Sequence, residues 1–137
     1  MSSLSRCLAA AALLLCAAPA SADPACRITR VVDGDTLRMT CPETGEIRAR
    51  LMGFDTPEVF SPRCAEEKRL GDAATERLAA LLAEARSIRF VFEGRDRYGR
   101  ALARLWIDGR DAAALMVGSG LARPYGGGRR AGWCDVL

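Results

Sequence analysis

Residues 27–41 have the sequence RITRVVDGDTLRMTC, and this stretch decides how the chain begins to fold. Two β-rich runs, residues 27–32 and 36–41, lie on either side of Asp33-Gly34-Asp35. An Asp-Gly pair between two such runs is typical of a hairpin turn. The second run alternates apolar and polar residues, which is the pattern of a strand with one buried face. The stretch therefore predicts a β-hairpin.

Three further strands follow from similar patterns. Residues 46–52 alternate, with Ile47, Ala49 and Leu51 on one face, so the first half of the chain predicts a three-stranded meander. Residues 88–93 and 101–107 are two more β-rich runs, separated by a charged turn. In the first of these two runs, the side chains expected to face inward are Ile88, Phe90 and Phe92.

Two other segments have helical patterns. The alanine-rich residues 65–86 repeat leucine and alanine on one face, and residues 111–119 predict a shorter helix that Asp111 caps. Residues 53–63 contain two prolines and predict a loop, and residues 126–130 predict an exposed loop. Five short strands, with helices inserted after the third and the fifth, predict a small mainly-β barrel in an α+β fold rather than a parallel sheet.

Composition narrows the chemistry. The 137 residues suffice for one small domain, and 20 basic against 17 acidic residues give a net charge of only +3. All the basic residues except Lys68 are arginines, which bind phosphate through two parallel hydrogen bonds. The chain has no histidine, which excludes Ser-His-Asp triads, histidine-zinc hydrolases and nucleases that use imidazole. Hydrolytic chemistry therefore has to use carboxylates, arginines, cysteines or a hard metal ion.

The first 22 residues have the pattern of a secretory signal peptide. Arg6 precedes an apolar run at residues 8–18, and Ala20-Ser21-Ala22 is a small-residue cleavage site. We expect cleavage between Ala22 and Asp23, which leaves residues 23–137 as one exported domain, periplasmic or extracellular. An uncleaved anchor and a lipoprotein signal are the alternatives. No later segment is apolar enough to span a bilayer, so we expect no membrane association after cleavage.

Four cysteines remain in the mature chain. An even number in an oxidising compartment predicts two disulfides, and four cysteines allow three pairings. We favour Cys26–Cys41 because the two residues lie about equally far from Gly34, at the open end of the hairpin. That choice leaves Cys64–Cys134. A four-cysteine zinc site is the alternative, although the chain lacks the CxxC-like pairs that such sites use.

Three short segments carry the candidate chemistry. They are Val32-Asp33-Gly34-Asp35-Thr36, residues 50–58 and Arg95-Asp96-Arg97-Tyr98-Gly99-Arg100. Each alone is also typical of a solvated turn or loop. Together they offer Asp35 and Asp55 as hard oxygen ligands for Ca²⁺ or Mg²⁺, and Glu58 as an acceptor for a water proton. They also offer Arg50 and Arg100 as two guanidiniums to hold a phosphate during attack on a phosphodiester.

These residues resemble the signatures of the staphylococcal-nuclease-like, or thermonuclease, family. Val32-Asp33-Gly34-Asp35-Thr36-Leu37, then Arg50-Leu51 with Asp55-Thr56-Pro57-Glu58, then Asp96-Arg97-Tyr98-Gly99-Arg100 occur in the family's order and with similar spacing. Gly120-Leu121-Ala122 also resembles the segment after that family's second helix. The similarity covers residues 28–125, which is most of the mature chain.

The resemblance implies an OB-type five-stranded barrel with two packed helices, and a Ca²⁺ site. Asp35 and Asp55 would bind Ca²⁺ through their carboxylates, and the backbone carbonyl of Thr56 would be a third ligand. Asp33 would lie just behind the metal, and Thr36 would help to order its water molecules. DNA and RNA are the substrates that the family cleaves, leaving 5′-hydroxyl and 3′-phosphate ends.

The resemblance also implies roles in catalysis and substrate binding. Glu58 would position and deprotonate the attacking water, while Arg50 and Arg100 would hold the scissile phosphate. The residues implied to bind a neighbouring phosphate and the nucleotide are Arg97, Tyr98 and Tyr125. The alternatives are a non-catalytic OB-type module that binds nucleic acid and a disulfide-linked structural protein of the cell envelope. We expect a monomer.

The C-terminal part departs from the family's pattern. The third helix and the lysine-rich tail of the family have no counterpart, and residues 126–137 stand in their place. We expect the Cys64–Cys134 disulfide to fix this segment.

Overall fold

The computed structural model describes residues 26–136. Strands alternate with two α-helices along the chain, and a 3-10 turn, Cys134–Val136, follows them. In chain order the elements are β1 (Arg27–Asp33), β2 (Thr36–Cys41), β3 (Gly45–Leu51), β4 (Gly53–Asp55), α1 (Ala65–Glu84), β5 (Ile88–Arg95), β6 (Ala101–Ile107), β7 (Arg110–Asp111), α2 (Ala112–Gly118) and β8 (Arg123–Tyr125).

The main sheet has the strand order β1-β2-β3-β6-β5, with β7 paired to β6, and β4 and β8 form a separate antiparallel pair. Strands β3 and β6 run parallel, and the other neighbours in the main sheet are antiparallel. In the first hairpin Asp33 pairs with Thr36, so the turn itself is Gly34-Asp35. The predicted OB-type α+β fold is confirmed.

The core lies between the sheet and the two helices. Leu37 and Met39 of β2 are fully buried, as the alternation predicted, and every second residue of β6 is also buried. Helix α1 contributes Ala74 and Leu78, and α2 contributes Met116. This packing holds the β2–β3 hairpin, β4 and α1 together at the end of the sheet where the candidate site lies.

Strand β5 corrects one prediction. Ile88 and Phe92 are 40% and 42% exposed, and only Phe90 of the three expected core residues is partly buried against the core. The reason is the position of the strand, because β5 pairs with β6 alone among the described residues. A cleft of about 840 Å³ lies between β5 and β1. Alternation identified the apolar face, but within residues 26–136 only its central residue, Phe90, packs against the core.

Several element boundaries also differ from the predictions. Helix α1 ends at Glu84 rather than Arg86, because the backbone N–H groups of Arg86 and Ser87 bond to the Asp108 carboxylate instead. Asp111 caps α2 as predicted, accepting a hydrogen bond from the Ala113 N–H at 2.8 Å. The segment predicted as a loop from residue 53 begins with β4, which pairs with β8. Strands β4 and β8 have three residues each, too few for a detectable alternation of apolar and polar residues.

The structure contains two disulfides, Cys26–Cys41 and Cys64–Cys134, which are the pairings favoured from the sequence. Their sulfurs are bonded to one another, so the four cysteines do not form a zinc site. The predicted signal peptide and its cleavage site at Ala22-Asp23 lie outside the described residues. No helix within residues 26–136 is long and apolar enough to cross a bilayer.

Candidate active site

Three charged residues meet in the interior at one end of the sheet. Asp35 lies in the turn before β2, Arg50 lies near the end of β3, and Asp55 is the last residue of β4. Thr36 pairs with Arg50 across the two antiparallel strands, which places the neighbouring Asp35 beside Arg50. These charged residues are only 5%, 5% and 1% exposed, respectively, so their charges must be balanced locally.

Arg50 links the two carboxylates. Its Nη1 lies 3.1 Å from Oδ2 of Asp35, and its Nη2 lies 3.7 Å from Oδ1 of Asp55. The guanidinium also donates hydrogen bonds to the backbone carbonyls of Leu51 at 2.6 Å and Phe54 at 3.1 Å. Arg50 is therefore fixed by the fold before any substrate binds.

Asp35 is held by its neighbours on both sides. The backbone N–H and the hydroxyl of Thr56 donate to Oδ2 of Asp35 at 3.2 and 3.1 Å, and the Thr36 hydroxyl donates to Oδ1 at 3.2 Å. Asp33 accepts a hydrogen bond from the N–H of Asp35 at 3.0 Å. Burial raises the pKa of Asp35 to about 6, with repulsion from Asp33 and Asp55 adding to the effect and Arg50 and Thr56 opposing it. Burial of Asp35 thus has a larger effect on its pKa than the neighbouring Arg50 guanidinium does.

Asp55 has one satisfied oxygen and one unsatisfied oxygen. Oδ2 accepts hydrogen bonds from Nη2 of Arg123 at 3.0 Å and from the indole N–H of Trp133 at 3.2 Å. Oδ1 is buried and has no hydrogen-bond donor among residues 26–136. The nearby guanidiniums of Arg50 and Arg130 contact Oδ1 as charges, without the alignment of a hydrogen bond.

This donor set fits a hard divalent cation. A buried, unsatisfied carboxylate oxygen lies beside a second buried carboxylate, and both belong to residues predicted to bind Ca²⁺. Oxygen-only ligands of irregular geometry are what Ca²⁺ accepts. Asp35, Asp55 and the carbonyl of Thr56 are the groups available to hold it, while Asp33 and Thr36 fix the backbone and carboxylate of Asp35.

Glu58 lies at the border between this buried centre and solvent. Its side chain is 46% exposed, and Oε1 lies 3.1 Å from Nη1 of Arg130. The backbone N–H of Glu58 donates to the buried carboxylate of Glu67 in the first turn of α1, at 3.4 Å. The other oxygen of Glu67 accepts from the N–H of Arg63 at 2.7 Å. The loop that carries Glu58 is thus attached to a rigid helix.

An open cavity of about 1050 Å³ adjoins the buried centre. The predicted site residues that line it are Arg50, Glu58, Arg97, Tyr98, Arg100 and Tyr125. The structure therefore brings the predicted catalytic residues together with the predicted substrate-binding residues. Asp35, Asp55 and Thr56 lie behind the Arg50 side of this cavity, as the Arg50 contacts show.

Arg100 is oriented by Asp96. Its Nε donates to Oδ2 of Asp96 at 2.7 Å, and its backbone N–H donates to Oδ1 at 3.0 Å. Burial of Asp96 opposes ionisation, but these hydrogen bonds and the one from Tyr98 outweigh burial and hold the pKa of Asp96 below its usual value. Among the described residues, none accepts a hydrogen bond from the two terminal nitrogens of Arg100. They can therefore bind an anion in the cavity.

The three residues predicted to bind the nucleotide, Arg97, Tyr98 and Tyr125, differ in how they face the cavity. Tyr98 is 69% exposed beside the cavity, and the Arg97 guanidinium lies 4.8 Å from the centre of its ring. This stacked pair offers an aromatic face and a cation, which suits a base and a phosphate. The Tyr125 hydroxyl, in contrast, donates to the carbonyl of Gly128 at 2.7 Å. Tyr125 presents its ring to the cavity rather than a free hydroxyl.

Four residues of the site had no signal in the sequence patterns. Arg123, Arg130 and Trp133 contact Asp55 from 68 or more positions further along the chain, and Glu67 supports the Glu58 loop from inside α1. Residues 126–130 were predicted only as an exposed loop. Their exposure is confirmed, but Arg130 still reaches two acidic side chains. A search for charged residues close to Cys134 could have identified this segment.

The sequence of this chain is similar to one known protein family and to several known proteins. The sequence family described as "Staphylococcal nuclease homologue" matches residues 48–131. Over 129 residues the chain is 30% identical to Protein ParB of Escherichia coli, covering 88% of this chain and 68% of that protein. Over 117 residues it is 35% identical to Succinoglycan biosynthesis protein ExoI of Rhizobium meliloti, covering 82% and 58%. Over 97 residues it is 34% identical to Thermonuclease of Staphylococcus intermedius, covering 70% and 56%.

Proposed function

The chain belongs to the staphylococcal nuclease homologue family, and from this premise we propose that it is a nuclease. In this proposal it hydrolyses phosphodiester bonds of DNA and/or RNA with Ca²⁺ and leaves 5′-hydroxyl and 3′-phosphate ends. The observation that carries the proposal is that Arg50, Glu58 and Arg100 line one cavity, while the buried Asp35 and Asp55 contact Arg50. The chain spans about half to two thirds of the length of the relatives compared above, so its whole activity is inferred from this site.

The buried carboxylates supply the metal site in this proposal. Asp35 and Asp55, with the carbonyl of Thr56, would hold Ca²⁺. When bound, the ion would supply positive charge beside the phosphate and make a nearby water easier to deprotonate. The support for this assignment is the unsatisfied Oδ1 of Asp55 and the raised pKa of Asp35. Both features would be relieved by an added cation.

Glu58 acts as the general base in this scheme. Its carboxylate borders the cavity and is partly exposed, so it can approach a water molecule that neither buried aspartate can reach. The water transfers a proton to Glu58 as its oxygen attacks phosphorus. The bond from phosphorus to the 5′-oxygen then breaks. The phosphate stays on the 3′ side, and the departing 5′-oxygen takes a proton from solvent to become the 5′-hydroxyl. The bond between Glu67 and the Glu58 backbone keeps the base in place during this step.

The arginines stabilise the charge that develops on the phosphate. Arg50 is held by carbonyls and carboxylates, so it provides a fixed positive charge at the base of the cavity. Within residues 26–136 the hydrogen bonds of Arg100 are formed by Nε and the backbone N–H, which leaves its two terminal nitrogens available for the paired hydrogen bonds that a phosphate accepts. Removal of one such preorganised contact costs on the order of 10²–10³ in rate.

The test uses the oxidised mature chain, residues 23–137, with single-stranded DNA in the presence of Ca²⁺ or a chelator. We expect cleavage only with the metal, and a loss of about 10²-fold or more in Glu58→Ala and Arg100→Ala. Arg77→Ala, which removes an exposed arginine from α1, is the matched control and should keep wild-type activity. Circular dichroism confirms folding, and end-group analysis of the products should find 3′-phosphates. Activity that persists in chelator, or in either site variant, would refute the mechanism.

A non-catalytic module that binds nucleic acid is the second candidate. The exposed Tyr98 with its stacked arginine favours binding of single strands in either case. The cleavage assay described above distinguishes the two candidates, because a module binds DNA without cleaving it at any Ca²⁺ concentration.

We also propose that residues 1–22 are a signal peptide and that the domain, residues 23–137, acts as an exported monomer. The two disulfides support export to an oxidising compartment.

A further inference from the structure

The segment after β8 crosses back over the acidic centre. We name residues 126–133 the strap. At one end β8 pairs with β4, and at the other Cys134 is bonded to Cys64. Arg123 supports the strap from below, because its guanidinium donates to the carbonyls of Ala131 and Gly132 and lies 4.2 Å from the centre of the Trp133 ring. The strap is therefore held in a defined path over the site.

The strap places a guanidinium between two of the proposed functional carboxylates. Nη1 of Arg130 lies 3.1 Å from Oδ1 of Asp55 and 3.1 Å from Oε1 of Glu58. Oδ1 of Asp55 is also the buried oxygen that has no hydrogen-bond donor among the described residues. Arg130 thus neutralises the atom that is best suited to bind a metal ion.

A guanidinium and a divalent ion compete for the same carboxylate oxygen. Ca²⁺ binds oxygen at about 2.3–2.6 Å, and Nη1 of Arg130 lies 3.1 Å from Oδ1 of Asp55, so an ion on this oxygen would lie within about 6 Å of the guanidinium nitrogen. The two cations would also repel each other in a poorly solvated centre. The ion pairs here already join three carboxylates, Asp35, Asp55 and Glu58, to three guanidiniums. A divalent ion adds two positive charges to this balanced cluster, which favours release of one arginine from its carboxylates.

Arg130 is the arginine that leaves at the lowest cost. Arg50 is buried and bonded to backbone carbonyls, and Arg123 is bonded to the strap and stacked on Trp133. Arg130 is 36% exposed, and its ion pairs within residues 26–136 are those with Asp55 and Glu58. On release its side chain can extend into the neighbouring cavity, which it also lines.

We propose that Arg130 is a tethered competitor of the divalent cation, so that the strap sets the Ca²⁺ concentration at which the site loads. The inference rests on the proposed function, since it uses the same metal site. Arg130 holds Asp55 and Glu58 in the absence of the ion, and the ion displaces it. Removal of the competitor should then tighten Ca²⁺ binding by about tenfold, within the usual range of coupling between two ligands.

The chain offers a reporter and a matched control. It has two tryptophans, and Trp133 donates its indole N–H to Asp55, so Trp106→Phe leaves a single tryptophan, which lies at the metal site. Arg129→Gln removes the same charge one residue earlier, from a side chain that has no ion pair or hydrogen bond among the described residues. Arg130→Gln and Arg129→Gln are compared with the parent by Ca²⁺ calorimetry and by Trp133 fluorescence.

We expect Ca²⁺ to bind Arg130→Gln about tenfold more tightly than the parent, and Arg129→Gln within twofold of it. Thermal melting gives a second readout. In chelator Arg130→Gln should melt below the parent because its ion pairs are lost, and in saturating Ca²⁺ this difference should disappear. Equal affinity of both glutamine variants, or weaker binding by Arg130→Gln, would overturn the inference.

The outcome also separates this inference from the proposed function. A parent that cleaves DNA with Ca²⁺ while Arg130→Gln shows unchanged affinity refutes the competitor alone. A parent that binds no Ca²⁺ by calorimetry refutes both the metal site and its competitor.

Discussion

The carboxylate of Glu67 accepts a hydrogen bond from the backbone N–H of Glu58, nine residues earlier, at 3.4 Å. Its second oxygen accepts from the N–H of Arg63 at 2.7 Å, and the side chain is only 3% exposed. Two backbone donors of the loop are thus satisfied by one buried group. A residue in the first turn of α1 thereby fixes the position of the proposed general base.

We expect Glu67→Ala to act through Glu58. Loss of both acceptors should lower kcat by about tenfold with KM within about twofold, since the loop shifts but the phosphate-binding arginines stay in place. The free energy of unfolding should fall by about 1–3 kcal/mol because buried donors lose their partner. Steady-state kinetics and urea denaturation measure the two effects. Glu67→Gln keeps one acceptor and should recover part of kcat; wild-type kcat in the alanine variant would contradict the positioning role.

Gly71 makes a second contact between α1 and the same loop. A Cβ at this position would lie 2.8 Å from the Pro57 carbonyl oxygen and 2.9 Å from that of Glu58. Gly71→Ala should therefore lower both stability and kcat, because backbone has to move. Gly118→Ala in α2 is the control, since a Cβ there has no atom within 4 Å. That change should stabilise the protein by about 0.5–1 kcal/mol through a less flexible unfolded chain. Equal Tm values for the two variants would count against the argument.

The raised pKa of Asp35 has a measurable consequence for stability. In chelator the folded chain binds a proton on Asp35 more readily than the unfolded chain does, because the pKa rises from 3.8 to about 6. The destabilising contribution of Asp35 is therefore complete above pH 6 and diminishes as pH falls toward 4. At pH 7, Asp35→Asn should raise the free energy of unfolding by roughly 1–3 kcal/mol. Denaturation at pH 5 and pH 7 should show this gap narrowing at pH 5, and a gap that widens instead would exclude the explanation.

The two disulfides should differ in their effects. Cys64–Cys134 closes a separation of 70 residues and Cys26–Cys41 one of 15, for which chain entropy gives roughly 4 and 3 kcal/mol, respectively. Replacement of Cys64 and Cys134 by serine should therefore destabilise the protein more than the same replacement of Cys26 and Cys41. Loss of Cys64–Cys134 should also release the strap and change Trp133 fluorescence, whereas loss of Cys26–Cys41 should leave that fluorescence unaltered. Urea denaturation and emission spectra compare the variants, and identical spectra would show that the disulfide does not hold the strap.

Local patterns predicted most of the fold and the central part of the site. The Gly34-Asp35 turn and the alternation in β2 determine the first hairpin, and its register brings Asp35 beside Arg50. Asp55 and Glu58 follow within a few residues of β3, so their proximity also depends on short-range geometry. The same short range explains why Arg100 and Asp96, in one turn, could be identified from a motif.

The parts that could not be predicted depend on distant contacts. Three residues, Arg123, Arg130 and Trp133, reach Asp55 because the chain turns back after β8. The spacing of apolar residues in the sequence does not indicate such a turn. The exposure of Ile88 and Phe92 is similar in origin. Alternation shows which side chains share a face, whereas coverage of that face depends on where other elements pack.

The link between Cys134 and Cys64 also affects what a protease can do to this protein. Arg129 and Arg130 are exposed within the strap, which is where a trypsin-like enzyme would cut. Such a nick adds a water molecule to the mass of the chain but releases nothing, because the cut-off peptide stays covalently attached through Cys134. The two pieces would separate on a gel only after reduction. In the nicked molecule Trp133 stays tethered near Asp55 through Cys134, while the new chain end at the cut arginine is no longer tied to that disulfide.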